Sequence, residues 1–263
     1  FGIFRQALLR GRFDVIMIST SPPVFAGLAA RWAAKLTGAK FVYHCMDLHP
    51  EIGRISGEFR NPLVFSALQR IDSRNCRSAA RTVVLSRDME RAVRERPAGE
   101  QADVEVINNF NLPTYAEAEP SGLPEGLAKG EGTFRILFAG NIGRFQGLEA
   151  VIDAISRLQD REDVECVFLG EGAAKEGLMN RAGAMNGQQV KFFPHQPLEV
   201  ARSVIRTGDL CLVTLTPEIY KYAFPSKTMT YLGEGRPLLV SVEMESELAE
   251  FVAREEVGMA VPP

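Results

Sequence analysis

The chain has 263 residues, with 30 Lys and Arg against 33 Asp and Glu and a formal net charge of −3. A near-neutral balance of this kind gives no sign of general nucleic-acid binding, so no nucleic-acid partner is expected, and no apolar run is long enough to span a bilayer. The four cysteines (Cys45, Cys76, Cys166, Cys211) are far apart without Cys-x-x-Cys spacing, and the three histidines are scattered. That pattern predicts reduced core thiols in a cytosolic setting and no metal site.

Taken in chain order, residues 1–13 (FGIFRQALLRGRF) interleave apolar positions with Arg5, Arg10 and Arg12. The segment could rest on anionic lipid at a membrane surface, or be a domain-surface helix whose preceding partner is absent. The chain opens on Phe1 inside a helix-like stretch, so the expectation is a sequence lacking its natural beginning. Short apolar runs follow at residues 14–20 (DVIMIST), 40–47 (KFVYHCMD), 81–86 (RTVVLS) and 103–109 (DVEVINN). They alternate with helical patterns, and Ser21-Pro22-Pro23 predicts a helix start with proline near the first turn.

Residues 111–132 (NLPTYAEAEPSGLPEGLAKGEG) are rich in Pro, Gly, Glu and Ala and lack a sustained apolar stripe. They predict a linker, placed at 113–132, between domains at 1–112 and 133–263. Strand candidates resume at 134–141 (FRILFAGN), 164–170 (VECVFLG), 190–195 (VKFFPH), 209–216 (DLCLVTLT) and 236–242 (RPLLVSV). Several are almost continuously apolar, as in parallel sheets covered on both faces. Leu148, Val151, Ile152, Ile155 and Leu158 form one helical stripe. The fold class is therefore α/β, two doubly wound units with right-handed crossovers, the first contributing too few strands for a full sheet.

Three turns at strand ends carry candidate chemistry. The first is residues 138–148 (FAGNIGRFQGL), with Gly140, Asn141, Gly143, Arg144, Gln146 and Gly147 between a strand and a helix. Glycines there let a bound group approach the backbone, and free N–H groups at the helix start favour phosphate. The spacing is not Gly-x-Gly-x-x-Gly, so the dinucleotide fingerprint fails; a tight structural turn is the other reading. The second is Gly170, Glu171 and Gly172, followed by Lys175, again at a strand's carboxyl end, where open α/β sheets bind ligands. The third is residues 223–232 (AFPSKTMTYL), where Pro225 and then Ser226 predict a capped helix start. Lys227 in the first turn opposes the helix dipole unless an anion sits there. Asp47 and Glu51 flank a turn after a strand: either they orient a hydroxyl, with Asp47 a local base, or they cap the next segment. His44 and His49 nearby are read as structural.

Residues 140–148, 170–172, the strand ending near His195, and 225–237 occur in the order found in retaining glycosyltransferases of family four, which the sequence resembles. Residues 20–23 (TSPP), 47–51 (DLHPE), 84–86 (VLS) and 106–109 (VINN) have counterparts as well, so the likeness covers nearly the whole chain. It is similar above all to the bacterial branch that builds capsule, O-antigen and exopolysaccharide repeat units. The resemblance implies the GT-B fold, two Rossmann-like domains facing a cleft, and retaining transfer of a hexosyl- or N-acetylhexosaminyl-type sugar. The donor would be a nucleoside diphosphate sugar acting as co-substrate, with no cofactor and no metal. The acceptor would be a glycan hydroxyl, polyprenol-diphosphate-linked, at the inner face of a bacterial membrane. It further implies donor contacts at the three turns, including Ser226, Lys227, Thr228 and Thr230, and at His195, with Asp47 and Glu51 as catalytic residues. Many members carry Arg and Lys where this chain has Asn141 and Gln146, and a glutamate pair where it has Tyr222 and Thr230. A nucleotide-sugar epimerase and a non-catalytic glycosyltransferase-like subunit are the rival expectations.

Overall fold

The structure is a computed structural model that describes residues 13–110, 123–124 and 126–263. The basic segment 1–12 and most of the predicted linker lie outside the described residues. The chain divides into two compact units.

The first unit runs to Asn108 and takes in Glu218–Phe224 as well. Its sheet has four parallel strands in sequence order: β1 (Val15–Ser19), β2 (Lys40–Cys45), β3 (Arg81–Val84) and β4 (Val104–Val106). Helix α1 (Phe25–Thr37) buries Ala26, Ala30, Ala33 and Ala34, a small-residue stripe at helical spacing, and stops at Gly38 in the left-handed conformation. The prolines do not open this helix as the sequence predicted. Pro22 and Pro23 form the turn before it, their carbonyls accepting the Ala26 and Phe25 N–H groups, and Val24 is the cap. Helices α2 (Glu51–Ile55), α3 (Pro62–Ser78) and α4 (Arg87–Glu95) complete the layer. Asn61 caps α3 by accepting from the Leu63 and Val64 N–H groups, with proline at the first helical position.

The second unit has six parallel strands: β5 (Phe134–Ala139), β6 (Val164–Leu169), β7 (Val190–Phe193), β8 (Leu210–Thr214), β9 (Leu238–Ser241) and β10 (Gly258–Val261). Their order is β10-β9-β8-β5-β6-β7. The order reverses between β5 and β8, the topological switch point where open α/β sheets hold ligands. Helices α5 (Leu148–Ser156), α6 (Lys175–Ala182), α7 (Leu198–Ile205), α8 (Lys227–Gly233) and α9 (Glu247–Arg254) connect the strands. The core joins Phe138, Leu148, Ile152 and Ile155 to Phe168, Leu178 and Leu212.

Two boundary expectations change. Residues 218–224 belong to the first unit, so the second is not one continuous segment. The linker also ends earlier than residue 132. Leu127 is fully buried, and its carbonyl accepts a 2.8 Å bond from the buried Arg135 guanidinium. All four cysteines are buried free thiols.

Candidate functional site

The switch-point loop after β5 is held by β8. The Thr216 N–H donates to the Phe145 carbonyl at 2.9 Å, and the Thr214 hydroxyl donates to the Gln146 carbonyl. The second glycine turn packs on the first, backbone to backbone. A Cβ on Gly170 would lie 1.9 Å from the Gly140 carbonyl oxygen, and one on Gly172 would lie 2.2 Å from that of Ile142. Both glycines also have φ near +150°, so no other residue suits either place. Hydrogen bonds close the seam: Gly140 N–H to Leu169 and Ile142 N–H to Glu171. These two glycines are thus set by loop-on-loop contact. Gly140 itself has open space beside it apart from the Lys227 side chain at 3.7 Å.

Lys227 is the centre of this arrangement. Its Nζ donates to Gln146 Oε1 at 2.6 Å and lies 3.7 Å from the centroid of the Phe138 ring. The sequence placed a cation in the first turn of a helix; its side chain is half-buried and folded onto the glycine loop. Burial pulls its pKa down to about 7, and it makes no ion pair among the described residues. Ser226 is helical in backbone and makes no side-chain cap, correcting the predicted serine cap. One turn on, the Tyr231 hydroxyl donates to the Ala139 carbonyl (3.0 Å) and accepts from the Ala139 N–H (2.8 Å). That clasp fixes α8 against the end of β5. Phe138 and Tyr231 were not among the predicted site residues, although Lys227 and Tyr231 at i, i+4 share a helix face.

Other predicted positions fall nearby with less engagement. Asn141 and Arg144 are exposed. Gly147 is the left-handed cap of α5, and Gly143 packs beside the Asn141 amide. Glu171 pairs with Lys175 at the surface (2.7 Å). Thr228 is fully buried with its Oγ1 unpartnered, and Thr230 is half-buried. His195 lies exposed after β7, with no hydrogen bond to these loops among the described residues.

In the first unit, Asp47 and Glu51 have opposite surroundings. Asp47 follows β2 and pairs with Ala223 in an antiparallel bridge, while the next N–H, that of Leu48, donates to the Tyr222 carbonyl at 2.8 Å. Its carboxyl is exposed at the strand end, yet partial desolvation pushes its pKa above the ordinary value, against the pull of His49. Glu51 is buried and committed: Arg96 donates to it through Nε (2.9 Å) and Nη2 (2.5 Å), and Gln69 adds a third bond (3.0 Å). Burial alone would raise the Glu51 pKa, but the Arg96 charge and these bonds outweigh it and hold the carboxyl below its ordinary value. The expectation of a catalytic Glu51 thus falls on a buried carboxylate engaged on both oxygens by a core ion pair, which anchors the turn. Tyr222, aligned with the first family glutamate, lies in the first unit, and Thr230 lies in α8.

Among the described residues no cluster of His, Cys, Asp and Glu could hold a metal ion, and no helix is long and apolar enough to cross a membrane.

Residues 123–263 match the family described as glycosyl transferases group 1, and residues 2–109 match the glycosyl transferase 4-like domain. The chain belongs to the glycosyl transferases group 1 family. It is 27% identical over 259 residues to the probable glycosyltransferase WbjE of Pseudomonas aeruginosa, covering 96% of this chain. It is 26% identical over 241 residues to the putative colanic acid biosynthesis glycosyl transferase WcaI of Escherichia coli K12, covering 89% of this chain. The chain spans 63% and 59% of the lengths of those two relatives. Among solved structures, Anabaena HepE in complex with UDP-glucose superposes with a TM-score of 0.71 at 17% identity, over all of this chain and 67% of HepE. The fold is GT-B, with two Rossmann-like parallel-sheet units.

Proposed function

We propose that the protein of which this chain is part transfers a sugar, with retention, from a nucleoside diphosphate sugar to a glycan hydroxyl in bacterial surface polysaccharide synthesis. The observation that carries this reading is the half-buried Lys227 ammonium, without a carboxylate partner among the described residues, folded onto the glycine loop at the switch point. A cation so placed lacks only an anion, and a diphosphate supplies one. Membership of the family and the naming of WbjE and WcaI support the sugar-transfer chemistry. HepE, which is bound to UDP-glucose, supports a uridine donor as the first to try.

In this reading the donor lies along residues 140–147, with Lys227, Arg144 and the surrounding N–H groups meeting the diphosphate charge. Ser226, Thr228, Thr230 and His195 stay as donor-side assignments. The bond from the sugar's anomeric carbon to the diphosphate oxygen breaks. A bond to the acceptor oxygen forms on the same face, and the acceptor's proton passes to the leaving phosphate. Asp47, at a strand end of the first unit, is assigned to the acceptor hydroxyl as the base that relays this proton. The donor serves as co-substrate and no cofactor is invoked. A polyprenol-diphosphate-linked acceptor would place the enzyme on the inner face of the cell membrane.

The test uses the full-length protein. Melting temperatures are measured with UDP-, GDP-, ADP- and dTDP-sugars, since a ligand that binds only the native state raises the melting temperature. Products are then assayed with the donor that stabilises. Free nucleoside diphosphate with an extended glycan supports transfer. An isomerised donor identifies an epimerase, and stabilisation without turnover identifies a non-catalytic subunit with Tyr222 and Thr230 in place of the glutamates.

A further inference from the structure

Resting on the transfer reading above, we infer that a cavity beside the Asp47 turn takes an uncharged sugar of the acceptor, one place beyond the sugar whose hydroxyl meets Asp47. The acceptor is then a glycan of two or more sugars, and the reaction follows at least one earlier sugar transfer. The cavity, of about 640 Å³, is lined by Arg54, Phe65, Gln69, Glu95 and Tyr222 among others, an ordinary size for a small-ligand site. Every lining residue belongs to the first unit. The cavity lies at the same end of the sheet as Asp47: α2 starts at Glu51, just after that turn, and the Leu48 N–H donates to the Tyr222 carbonyl. Asp47 itself does not line it. A ligand that fills the cavity and also brings a hydroxyl to Asp47 therefore spans more than one sugar.

The charges of the cavity wall are matched. Arg96 is engaged by Glu51 and Asp72, and Glu218 pairs with Lys221. That leaves Arg54, 4.8 Å from the centroid of the Phe65 ring, and the exposed Glu95, which makes no ion pair among the described residues. One cation and one anion remain, so neither a phosphate nor an ammonium meets a net counter-charge.

What the wall offers is hydrogen bonding and ring surface. Phe65 and Gln69 stand at i, i+4 on α3 and share a face. The Gln69 amide donates to Glu51, and its Oε1 makes no hydrogen bond among the described residues. Burial, and after it the charge of Glu51, raises the Tyr222 pKa, so the phenol keeps its proton and can donate. Carboxylate, amide oxygen, phenol and guanidinium supply acceptors and donors for sugar hydroxyls. Phe65 and Tyr222, both half-buried, supply apolar surface for the C–H face of a sugar ring.

The test uses the full-length protein with synthetic mono- and disaccharide glycosides that carry neither lipid nor phosphate. Saturation-transfer NMR without donor reads binding, and initial rates with the stabilising donor read transfer. The expected result is contact with both rings of a disaccharide, and a kcat/KM about tenfold or more above that of the matching monosaccharide, about the worth of one charged hydrogen bond. Glu95→Ala and Tyr222→Phe should each raise the disaccharide KM and shrink that preference. Unchanged melting temperatures check that both variants keep the fold. Contact that the variants weaken, with no transfer from any donor, keeps the cavity and overturns the transfer reading. Transfer with no preference for the longer acceptor, or with a preference that both variants keep, overturns the cavity and leaves the transfer reading. No contact with any glycoside overturns the cavity as well.

Discussion

Arg96 in the first unit and Lys227 in the second are both withdrawn from bulk water, and they differ in what surrounds them. Arg96 is enclosed by Glu51 and by Asp72, whose Oδ2 accepts from Nη1 at 2.7 Å, and it also donates to the His49 carbonyl. Those carboxylates outweigh the cost of burial and hold the guanidinium charged, its pKa well above the ordinary value. Among the described residues Lys227 has an amide oxygen and a ring face and no carboxylate, so burial wins and its pKa falls to about 7. The two carboxylates of the first unit repeat the contrast, with Glu51 paired and Asp47 making no ion pair among the described residues. The presence of a counter-charge, more than depth of burial, separates a group that holds the fold from one that awaits a ligand.

The largest effect should come from the unpaired carboxylate. Asp47→Asn in the full-length protein is expected to lower the proposed sugar transfer roughly a hundredfold to ten-thousandfold, the usual range for a positioned acid or base. Its melting temperature and donor affinity should stay near wild type, because the side chain is exposed. Near-normal turnover would reduce Asp47 to a structural turn residue and break the contrast with Glu51.

Removing the enclosed cation should act on stability. Arg96→Met leaves Glu51 and Asp72 buried without a counter-charge and should cost about 3–5 kcal/mol in denaturant melts. The pH dependence sharpens the point. The folded-state pKa of Glu51 is depressed, so its contribution is complete above the ordinary carboxylate value and is lost as pH falls through the lower folded value. Wild type should therefore lose stability in that acid window, and Arg96→Met should lose much less there. An unchanged acid limb in the variant would mean that the pair does not control Glu51.

How much of this was legible in the sequence follows from the range of each signal. Nine of the ten strands were visible as short runs rich in apolar residues, several of them almost continuous. The tenth, β10, is apolar too (GMAV) but only four residues long, with glycine at its start and prolines after it, and those residues mark turns. The glycine loops and Lys227 stood out by local chemistry. The split between Asp47 and Glu51 did not, because it is decided by Arg96, 45 residues beyond Glu51, which only the fold brings to it. The Gln146 contact with Lys227 spans 81 residues and was invisible for the same reason. Residues 218–224 join the first unit through backbone hydrogen bonds to the Asp47 turn, and backbone pairing leaves no mark in side-chain composition.

The unpaired cation should act on binding. Lys227→Ala is expected to weaken donor binding by about 1.5–3 kcal/mol, the usual net value of a charge-assisted hydrogen bond. Arg144→Ala should do less, its side chain being exposed. The sign with pH is fixed by linkage. A bound diphosphate raises the Lys227 pKa above its free value of about 7, so a proton is taken up on binding. Donor affinity should be full below pH 7 and should fall as pH rises from there toward the bound-state value. Calorimetry in buffers of different ionisation enthalpy, with and without chelator, reads both the affinity and the proton. If Lys227→Ala binds like wild type and Arg144→Ala does not, the arginine holds the diphosphate.

The smallest effect belongs to the clasp that sets Lys227 in place. Tyr231→Phe removes only a hydroxyl, but that hydroxyl serves both polar groups of Ala139. Ala139 is half-buried, so water can reach part of what is vacated. The expected loss of stability is therefore about 1 kcal/mol, one ordinary hydrogen bond net, rather than the cost of two orphaned groups. The charge of Lys227, its distance from Phe138 and its bond to Gln146 do not pass through the hydroxyl. Donor affinity should drop slightly, as the helix loosens against β5, while its fall above pH 7 keeps the same midpoint. A variant with wild-type stability would show the clasp to be incidental. A variant with intact stability and affinity but no pH dependence would take that dependence away from Lys227 and give it to the tyrosine.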